Sequence, residues 1–133
     1  MIIGAGIILL NSNNQVLLLL RDNKIAIPFP NMWDIPGGIV EKYETPEQTV
    51  RREMMEELGI SDLGEIKLFK IITSEKITDN IFWKRIDLNP SEIDLKEGQC
   101  IEYFDLARSR KTKLAFNYNN VIEDFYNEIV NQN

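Results

Sequence analysis

The sequence predicts a layered protein of strands and helices, either an α+β domain or an α/β domain built on a mixed sheet. Three observations support this prediction. Apolar runs of strand length occur in both halves of the chain and are mostly separated by turns. One segment in the middle carries the start and stop signals of a helix. The last segment has its apolar residues at helical spacing.

The first half of the chain predicts a hairpin followed by an irregular loop. Residues 2–10 and 15–20 are apolar runs, and the turn between them is made of asparagines and a serine. Residues 22–34 include two prolines, which indicates an irregular loop. Residues 33–35 can form a short strand that leads into a Pro-Gly-Gly sequence.

The second half predicts three more strands and a terminal helix. Residues 65–74 alternate between apolar and polar, residues 80–88 are rich in strand formers, and residues 99–106 form a last strand. In residues 119–130 the apolar positions follow one face of a helix. Residues 107–113 hold four basic residues and no acidic one. We interpret this segment as a solvated loop, with contact to substrate phosphates as the alternative.

Composition and charge limit the class of protein. The 133 residues, 44% of them hydrophobic and 27% charged, suit one globular domain, residues 1–133. No apolar run reaches the roughly 20 residues of a membrane span, and the N-terminus lacks the features of a signal peptide. The single cysteine, Cys100, cannot form an internal disulfide, so we expect a cytoplasmic protein without a membrane partner. The net charge of −6 argues against a nucleic-acid partner.

The absence of histidine restricts the chemistry. Without histidine, imidazole bases, Ser-His and Cys-His pairs and the commonest zinc ligand are excluded. A reaction must therefore use carboxylates, Lys, Arg or a bound metal. An anionic substrate remains compatible with an acidic protein if a cation mediates the contact.

The central helix is defined at both ends. Thr45 is a suitable N-cap, Pro46 suits the first helical position, and Gln48 completes a capping box. Gly59, which follows Leu58, can adopt the left-handed conformation that ends a helix. These signals predict a helix from about Pro46 to Leu58.

Three glutamates converge on one strip of this helix, because Glu53, Glu56 and Glu57 lie at positions i, i+3 and i+4. A solvated acidic face is the simpler interpretation of such a group. Two features favour ligand binding instead. The strip borders an apolar strip that can pack on the sheet, and a glycine pair before the helix lets backbone approach a ligand closely. Clustered carboxylates on a rigid helix suit Mg²⁺, whose protein ligands are oxygen atoms.

Residues 38–60 carry a pattern that fixes both spacing and identity over 23 residues: Gly38-x5-Glu44-x7-Arg52-Glu53-Met54-x-Glu56-Glu57-x-Gly59-Ile60. This pattern resembles the signature of the Nudix hydrolases. The chain length, the hairpin, the Pro-Gly-Gly sequence and the acidic residue before the last strand are similar to the MutT-type branch. The resemblance implies an α/β fold, an α/β/α sandwich around a mixed β-sheet. It also implies an enzyme that directs water to a phosphorus atom of a nucleotide.

The resemblance also implies a metal site. Glu53, Glu56 and Glu57 match the metal-binding glutamates of the family, and a backbone carbonyl of Gly37 or Gly38 would add a ligand. The expected cofactor is Mg²⁺, with Mn²⁺ as an alternative.

Three further residues match catalytic positions of the family. Arg52 matches the residue that orients the following glutamate, Glu53. Glu44 matches the residue that helps to hold this arginine. Glu97 lies where MutT-type enzymes place a further acidic residue, so it is a candidate metal ligand or base.

For the substrate, the leading expectation is a nucleoside triphosphate cleaved to a monophosphate and pyrophosphate. Residues 71–78 contain neither the proline common in relatives that split ADP-ribose nor the tyrosine of some dinucleoside polyphosphate hydrolases. A coenzyme A signature is also not visible. The alternatives are a nucleotide sugar or another nucleoside diphosphate derivative, and a non-catalytic nucleotide-binding module. We expect a monomer or a homodimer.

The candidates for substrate contact are Arg21, at the end of the second predicted strand, and Asn117, close to where MutT-type enzymes place a purine-reading asparagine. Asn119 and Asn120 align almost as well, and loop or cap asparagines are the simpler interpretation. The sequence also departs from the family at Tyr43, where many members carry glycine before the first glutamate of the signature. This departure concerns the shape of a loop and touches no predicted metal ligand.

Overall fold

The computed structural model describes residues 1–132. A mixed sheet of seven strands lies at its centre: β1 (Ile2–Leu10), β2 (Val16–Leu20), β3 (Trp33–Asp34), β4 (Gly37–Ile39), β5 (Lys67–Thr73), β6 (Ile77–Arg85) and β7 (Cys100–Phe104). Three α-helices accompany the sheet: α1 (Pro46–Leu58), α2 (Leu106–Arg110) and α3 (Tyr118–Phe125). A π-helical turn, Tyr126–Val130, continues α3, and 3₁₀ turns occur at Pro90–Glu92 and Ala115–Asn117.

Strand β1 organises the sheet. It pairs in parallel with β6 along its whole length, from Ile2 opposite Ile77 to Leu10 opposite Arg85. Its other edge is shared by two antiparallel partners, β4 near the start of β1 and β2 near its end. Strand β5 pairs antiparallel with β6, and both β3 and β7 pair antiparallel with β2. The prediction of a mixed sheet is therefore confirmed.

The two faces of the sheet are buried by different helices. Alternate residues of β1 point to opposite faces, so Ile7 and Leu9 pack in one apolar cluster with Met54 of α1. Ile8 and Leu10 pack in the other cluster with the buried residues of α3. The result is the α/β/α sandwich that the resemblance implied.

The bounds predicted for the central helix are confirmed, because they depend on local signals. The Thr45 hydroxyl accepts a hydrogen bond from the backbone N–H of Gln48 at 3.2 Å, and the Gln48 side chain accepts one from the N–H of Thr45 at 2.9 Å. Gly59 ends the helix in the left-handed conformation, with φ 69°. The helix therefore presents the same residues to the sheet and to the site as the sequence indicated.

The interpretation of residues 107–113 as a loop was wrong in its first half, which belongs to α2. Asp105 caps this helix by accepting a hydrogen bond from the N–H of Arg108 at 2.7 Å. Ser109 is buried and donates to the carbonyl of Leu106. A five-residue helix is too short to show a periodic pattern, so sequence reasoning missed it.

The terminal helix is present, beginning at Tyr118. Across residues 1–132, none of the helices combines the length and the apolar character needed to cross a membrane.

Candidate active site

Three carboxylates meet where α1, β4 and the loop before β7 come together. Glu53 and Glu57 lie one turn apart on α1, and Glu97 comes from the loop. Each offers one oxygen atom, and these three atoms lie within 4.8 Å of one another. The structure thus brings together two glutamates of the helical strip and the acidic residue near β7.

Backbone hydrogen bonds on both sides of Glu97 hold its loop in place. The N–H of Lys96 donates to the carbonyl of Glu57 at 2.9 Å, and the N–H of Gln99 donates to the carbonyl of Leu20 at 2.8 Å. Between them, Gly98 has φ 86°, and a Cβ there would lie 2.7 Å from Leu19. These contacts fix the position of Glu97 relative to α1.

The glycine pair of β4 allows backbone to approach Glu53. A Cβ on Gly38 would lie 2.4 Å from Oε1 of Glu53 and 2.6 Å from its carboxyl carbon, so any side chain there would displace this carboxylate. A Cβ on Gly37 would lie 2.3 Å from the carbonyl oxygen of Ala5 in β1. Close backbone approach therefore requires glycine at both positions.

Arg52 links the carboxylates on one side of the site. Its Nε and Nη2 donate to the two oxygens of Glu44 at 2.8 and 3.0 Å, and its Nη1 donates to Glu53 Oε1 at 2.8 Å. Thr49 in turn donates from its hydroxyl to Glu44 Oε1 at 2.5 Å. Hydrogen bonds from Arg52 and Thr49 lower the pKa of Glu44 to about 2, so Glu44 remains ionised and fixes the orientation of the guanidinium.

Glu57 is the buried member of the cluster, with 8% of its surface exposed. Its Oε2 is buried without a hydrogen-bond partner in the part of the chain that the structure describes. Burial and the neighbouring charges of Glu53 and Glu97 raise the pKa of Glu57 to about 9, and burial also raises the pKa of Glu53. An unsatisfied buried oxygen beside two other carboxylates fits a cation, which would compensate all three charges.

Glu56 lies apart from this cluster. Half of its side chain is exposed, and its carboxylate contacts Arg52 Nη1 at 3.3 Å. The structure therefore places Glu56 at the rim of the site, whereas Glu53, Glu57 and Glu97 converge.

Arg21 and Asn117 lie beside a second group of polar residues. Arg21 Nη1 donates to Asp34 Oδ2 at 2.9 Å, and the guanidinium lies 5.2 Å from the ring centre of Phe116. Asn117 is exposed, has φ 60°, and makes no side-chain capping bond at the start of α3. Asn119 instead holds the α2–α3 connection, donating to the carbonyls of Ser109 and Thr112. Of the candidate asparagines, Asn119 therefore has a structural role.

Sequence reasoning missed the buried Asp34 and the half-buried Asp79 near Arg21. Asp34 is 8% exposed, and Asp79 of β6 accepts a hydrogen bond from the buried hydroxyl of Tyr118 at 2.6 Å. The available signal was a charged residue inside a short apolar strand, Trp33-Asp34-Ile35.

The departure at Tyr43 has a structural explanation. Tyr43 adopts φ 69°, the left-handed conformation that favours glycine, and its side chain is 93% exposed. The loop therefore keeps a conformation suited to glycine and presents Glu44 to Arg52 despite the tyrosine.

The family model of the NUDIX domain matches residues 2–123. The chain is 44% identical over 110 residues to the 8-oxo-dGTP diphosphatase of Escherichia coli, covering 79% of this chain and 80% of that protein. It is 31% identical over 123 residues to the ADP-ribose pyrophosphatase of Methanocaldococcus jannaschii, covering 88% of this chain and 69% of that protein. The MutT protein from Methanosarcina mazei Go1 superposes on 96% of this chain and 94% of its own, with TM-score 0.76 and 25% identity.

These similarities and the sandwich fold define the class of protein. The chain belongs to the Nudix family and is a MutT-like hydrolase, an enzyme of the pyrophosphohydrolase type. Nudix hydrolases generally use divalent metals, and a cluster of acidic residues is present here.

Proposed function

We propose that this enzyme hydrolyses a nucleoside triphosphate to a nucleoside monophosphate and pyrophosphate, with Mg²⁺ as its cofactor. The observation that carries the proposal is the buried Glu57 oxygen, which has no hydrogen-bond partner among residues 1–132, beside Glu53 and Glu97. The 44% identical relative is named for a nucleoside triphosphate substrate, which supports this class of substrate.

Glu53, Glu57 and Glu97 would hold the cation, joined by Glu56 from the rim and by a backbone carbonyl of Gly37 or Gly38. When bound, Mg²⁺ supplies neutralisation of the phosphate charge, alignment of the diphosphate group and acidification of a water molecule. Mn²⁺, which accepts similar oxygen ligands, is the alternative.

The residues of the chain then orient the reactants and accept a proton. Arg52, held by Glu44, donates to Oε1 of Glu53 and so sets the orientation of this carboxylate. As the water oxygen bonds to phosphorus, the bond from that phosphorus to the bridging oxygen breaks and pyrophosphate leaves. The proton of the water passes to a carboxylate, for which Glu53 and Glu97 are the two candidates.

Product analysis tests this proposal. The purified protein is incubated with Mg²⁺ and a panel of ordinary and oxidised nucleoside triphosphates, ADP-ribose and nucleotide sugars, and the products are separated by ion exchange. We expect equal amounts of monophosphate and pyrophosphate from a triphosphate, and loss of this activity in Glu57→Gln. The matched control is Glu47→Gln, since Glu47 is an exposed residue of α1 that pairs with Arg51.

The second candidate is hydrolysis of a nucleotide sugar or another nucleoside diphosphate derivative. It is favoured by the 31% identical relative named an ADP-ribose pyrophosphatase. Turnover of ADP-ribose or a nucleotide sugar alone would keep the mechanism and replace the substrate. Nucleotide binding without any turnover would instead support a non-catalytic module.

A further inference from the structure

Asp34, like Glu57, has a buried carboxylate oxygen without a partner among the described residues. Its Oδ2 accepts a hydrogen bond from Arg21 Nη1 at 2.9 Å, whereas its Oδ1 is buried without a hydrogen-bond partner in residues 1–132. Leaving a buried acceptor unpaired costs about 1–3 kcal/mol. The cluster of Glu53, Glu57 and Glu97 gives no reason for leaving Asp34 Oδ1 unpaired.

Asp34 lies close to the proposed hydrolytic site. Gly37 is the third residue after Asp34, so the two Cα atoms are at most about 11 Å apart. Gln99, two residues after Glu97, donates from its side chain to the carbonyl of Arg21 at 2.8 Å. A nucleotide whose phosphates lie at the carboxylate cluster would therefore place its base near Asp34.

An aromatic surface adjoins the Arg21–Asp34 pair. The rings of Phe29 and Phe116 lie 4.5 Å apart between centroids, and the Arg21 guanidinium lies 5.2 Å from the centre of Phe116. Phe29 belongs to the loop before β3, which is tied to Arg21 by a hydrogen bond from Nε to the carbonyl of Pro28 at 3.0 Å. A flat ring that replaced Phe29 against Phe116 would be stacked beside the guanidinium.

The backbone is also strained in the two segments that meet over Arg21, namely the loop before β3 and the turn Ala115–Asn117. Within the described part of the chain six non-glycine residues have positive φ, and four of them belong to these segments: Phe29, Asn31, Phe116 and Asn117. Left-handed backbone at non-glycine residues is unfavourable and concentrates at ligand sites. This concentration supports a binding role for the region.

We propose that Asp34 and Arg21 determine base specificity by reading a lactam edge, that is, a ring N–H next to a ring carbonyl. Asp34 Oδ1 accepts the ring N–H, Arg21 donates to the carbonyl, and Phe116 stacks on the ring after Phe29 has moved away. Guanine, hypoxanthine, uracil and oxidised purines present such an edge, whereas adenine and cytosine lack a ring N–H there. The inference rests on the proposed function for the nucleotide as ligand.

The ionisation of Asp34 agrees with this role. Burial raises the pKa of Asp34 to about 6 despite the opposing charge of Arg21. The carboxylate is therefore mostly ionised at neutral pH and acts as an acceptor, which selects a donor on the base.

Binding of nucleoside monophosphates tests the inference without requiring hydrolysis. GMP, IMP and UMP are compared by calorimetry with AMP, CMP and 1-methyl-GMP, in which a methyl group replaces the ring N–H. We expect the wild type to bind GMP roughly ten- to a hundredfold more tightly than AMP or 1-methyl-GMP. Asp34→Asn should remove this preference while changing AMP binding by less than about threefold.

Two further experiments are needed. One identifies which edge of the base is bound, and the other excludes a purely structural effect of the substitution. 8-oxo-dGMP offers a second lactam edge. If the wild type binds 8-oxo-dGMP more tightly than dGMP, and Asp34→Asn loses this difference, the oxidised edge is the one that Asp34 recognises. Asp79→Asn is the matched control, because Asp79 is a neighbouring carboxyl that is already paired with Tyr118. It should retain the preference for GMP over AMP. If Asp34→Asn does not fold, the wild-type comparison of GMP with 1-methyl-GMP still tests whether the protein recognises the ring N–H.

Equal binding of GMP, 1-methyl-GMP and AMP by the wild type would overturn the inference, as would an equal loss for all bases in Asp34→Asn. Triphosphate hydrolysis without base preference would overturn only this inference. A base preference in a protein that hydrolyses no triphosphate would overturn only the proposed function.

Discussion

The guanidinium of Arg52 donates hydrogen bonds to both carboxylate oxygens of Glu44, from Nε to Oε2 at 2.8 Å and from Nη2 to Oε1 at 3.0 Å. Bidentate pairs of this kind fix geometry as well as charge. Only Nη1 is left for the helix, and it reaches Glu53 Oε1 at 2.8 Å. The orientation of Glu53 therefore depends on a residue of the preceding loop.

Glu44→Gln should lower kcat by about ten- to a hundredfold, as is typical when a residue that orients a metal ligand is lost. Thr49→Val, which removes the 2.5 Å hydrogen bond to Glu44, should have a smaller effect in the same direction. Steady-state kinetics at saturating Mg²⁺ measures both. Glu41→Gln is the control, since Glu41 is an exposed carboxylate 3.7 Å from Arg52. Equal kcat in Glu44→Gln and Glu41→Gln would contradict the orienting role.

Glu57→Gln should stabilise the metal-free protein while abolishing activity. The folded-state pKa of Glu57, about 9, is raised above its usual value of 4.5. The unfolded chain therefore loses this proton first, and the free energy of unfolding falls as pH rises from 4.5 towards 9. At pH 8 the neutral amide of Glu57→Gln should raise the free energy of unfolding by on the order of 2 kcal/mol relative to the wild type. Urea unfolding in the presence of a chelator measures this difference, and a less stable variant at pH 8 would contradict it.

Gly38→Ala should inactivate the enzyme and leave the fold intact. The new Cβ would lie 2.4 Å from Oε1 of Glu53 and would push this carboxylate out of the cluster. Displacement by about 1 Å can cost a hundredfold in rate. Gly4→Ala is the control for a glycine in the same sheet, because its Cβ would lie 3.1 Å from the end of the Asp79 side chain and 3.8 Å from the carbonyl oxygen of Gly38, without a steric clash with Glu53. Rates and circular dichroism of both variants provide the test, and full activity in Gly38→Ala would refute the steric argument.

Tyr43→Gly should stabilise the protein by about 1 kcal/mol, because the tyrosine holds a left-handed conformation that costs non-glycine residues 1–2 kcal/mol. Thermal unfolding measures the change. Tyr43→Ala keeps the backbone penalty and so serves as the control, with no gain expected. A gain in the alanine variant equal to that in glycine would show that the exposed ring, and not the backbone, is unfavourable.

Base discrimination should weaken below about pH 6. The pKa of Asp34 is raised to about 6 by burial, so at lower pH its carboxyl becomes protonated and no longer favours a ring N–H. The charged and titratable groups that face it are Arg21, which follows β2, Glu57 from α1, Asp79 from β6 and Tyr118 from α3. The ratio of kcat/KM for GTP to that for ATP, followed from pH 8 to 5, measures the effect. A ratio that does not change with pH would contradict it.

The sequence predicted most successfully what depends on neighbours in the chain. Both ends of α1 follow from Thr45, Gln48 and Gly59, whose signals are local. The short helix α2 escaped prediction because five residues show no periodic pattern and because Ser109 is buried only in the folded chain.

The candidate site was predictable in its residues and less so in its arrangement. Helical spacing places Glu53, Glu56 and Glu57 on one strip, yet only tertiary packing decides that Glu57 is buried and Glu56 is at the rim. The approach of Glu97 depends on the bond from Lys96 to Glu57 across the fold. The local pattern Trp33-Asp34-Ile35 shows a charge within an apolar strand, but only tertiary packing decides that Asp34 is buried beside Arg21.

The most direct test of the central claim is the binding of Mn²⁺, followed by the loss of its free electron paramagnetic resonance signal. The wild type and the Glu47→Gln control should bind with equal affinity, whereas Glu53→Gln, Glu57→Gln and Glu97→Gln should each weaken binding at least about tenfold. Unchanged Mn²⁺ affinity in all three variants would contradict the assignment of these carboxylates as the cation site.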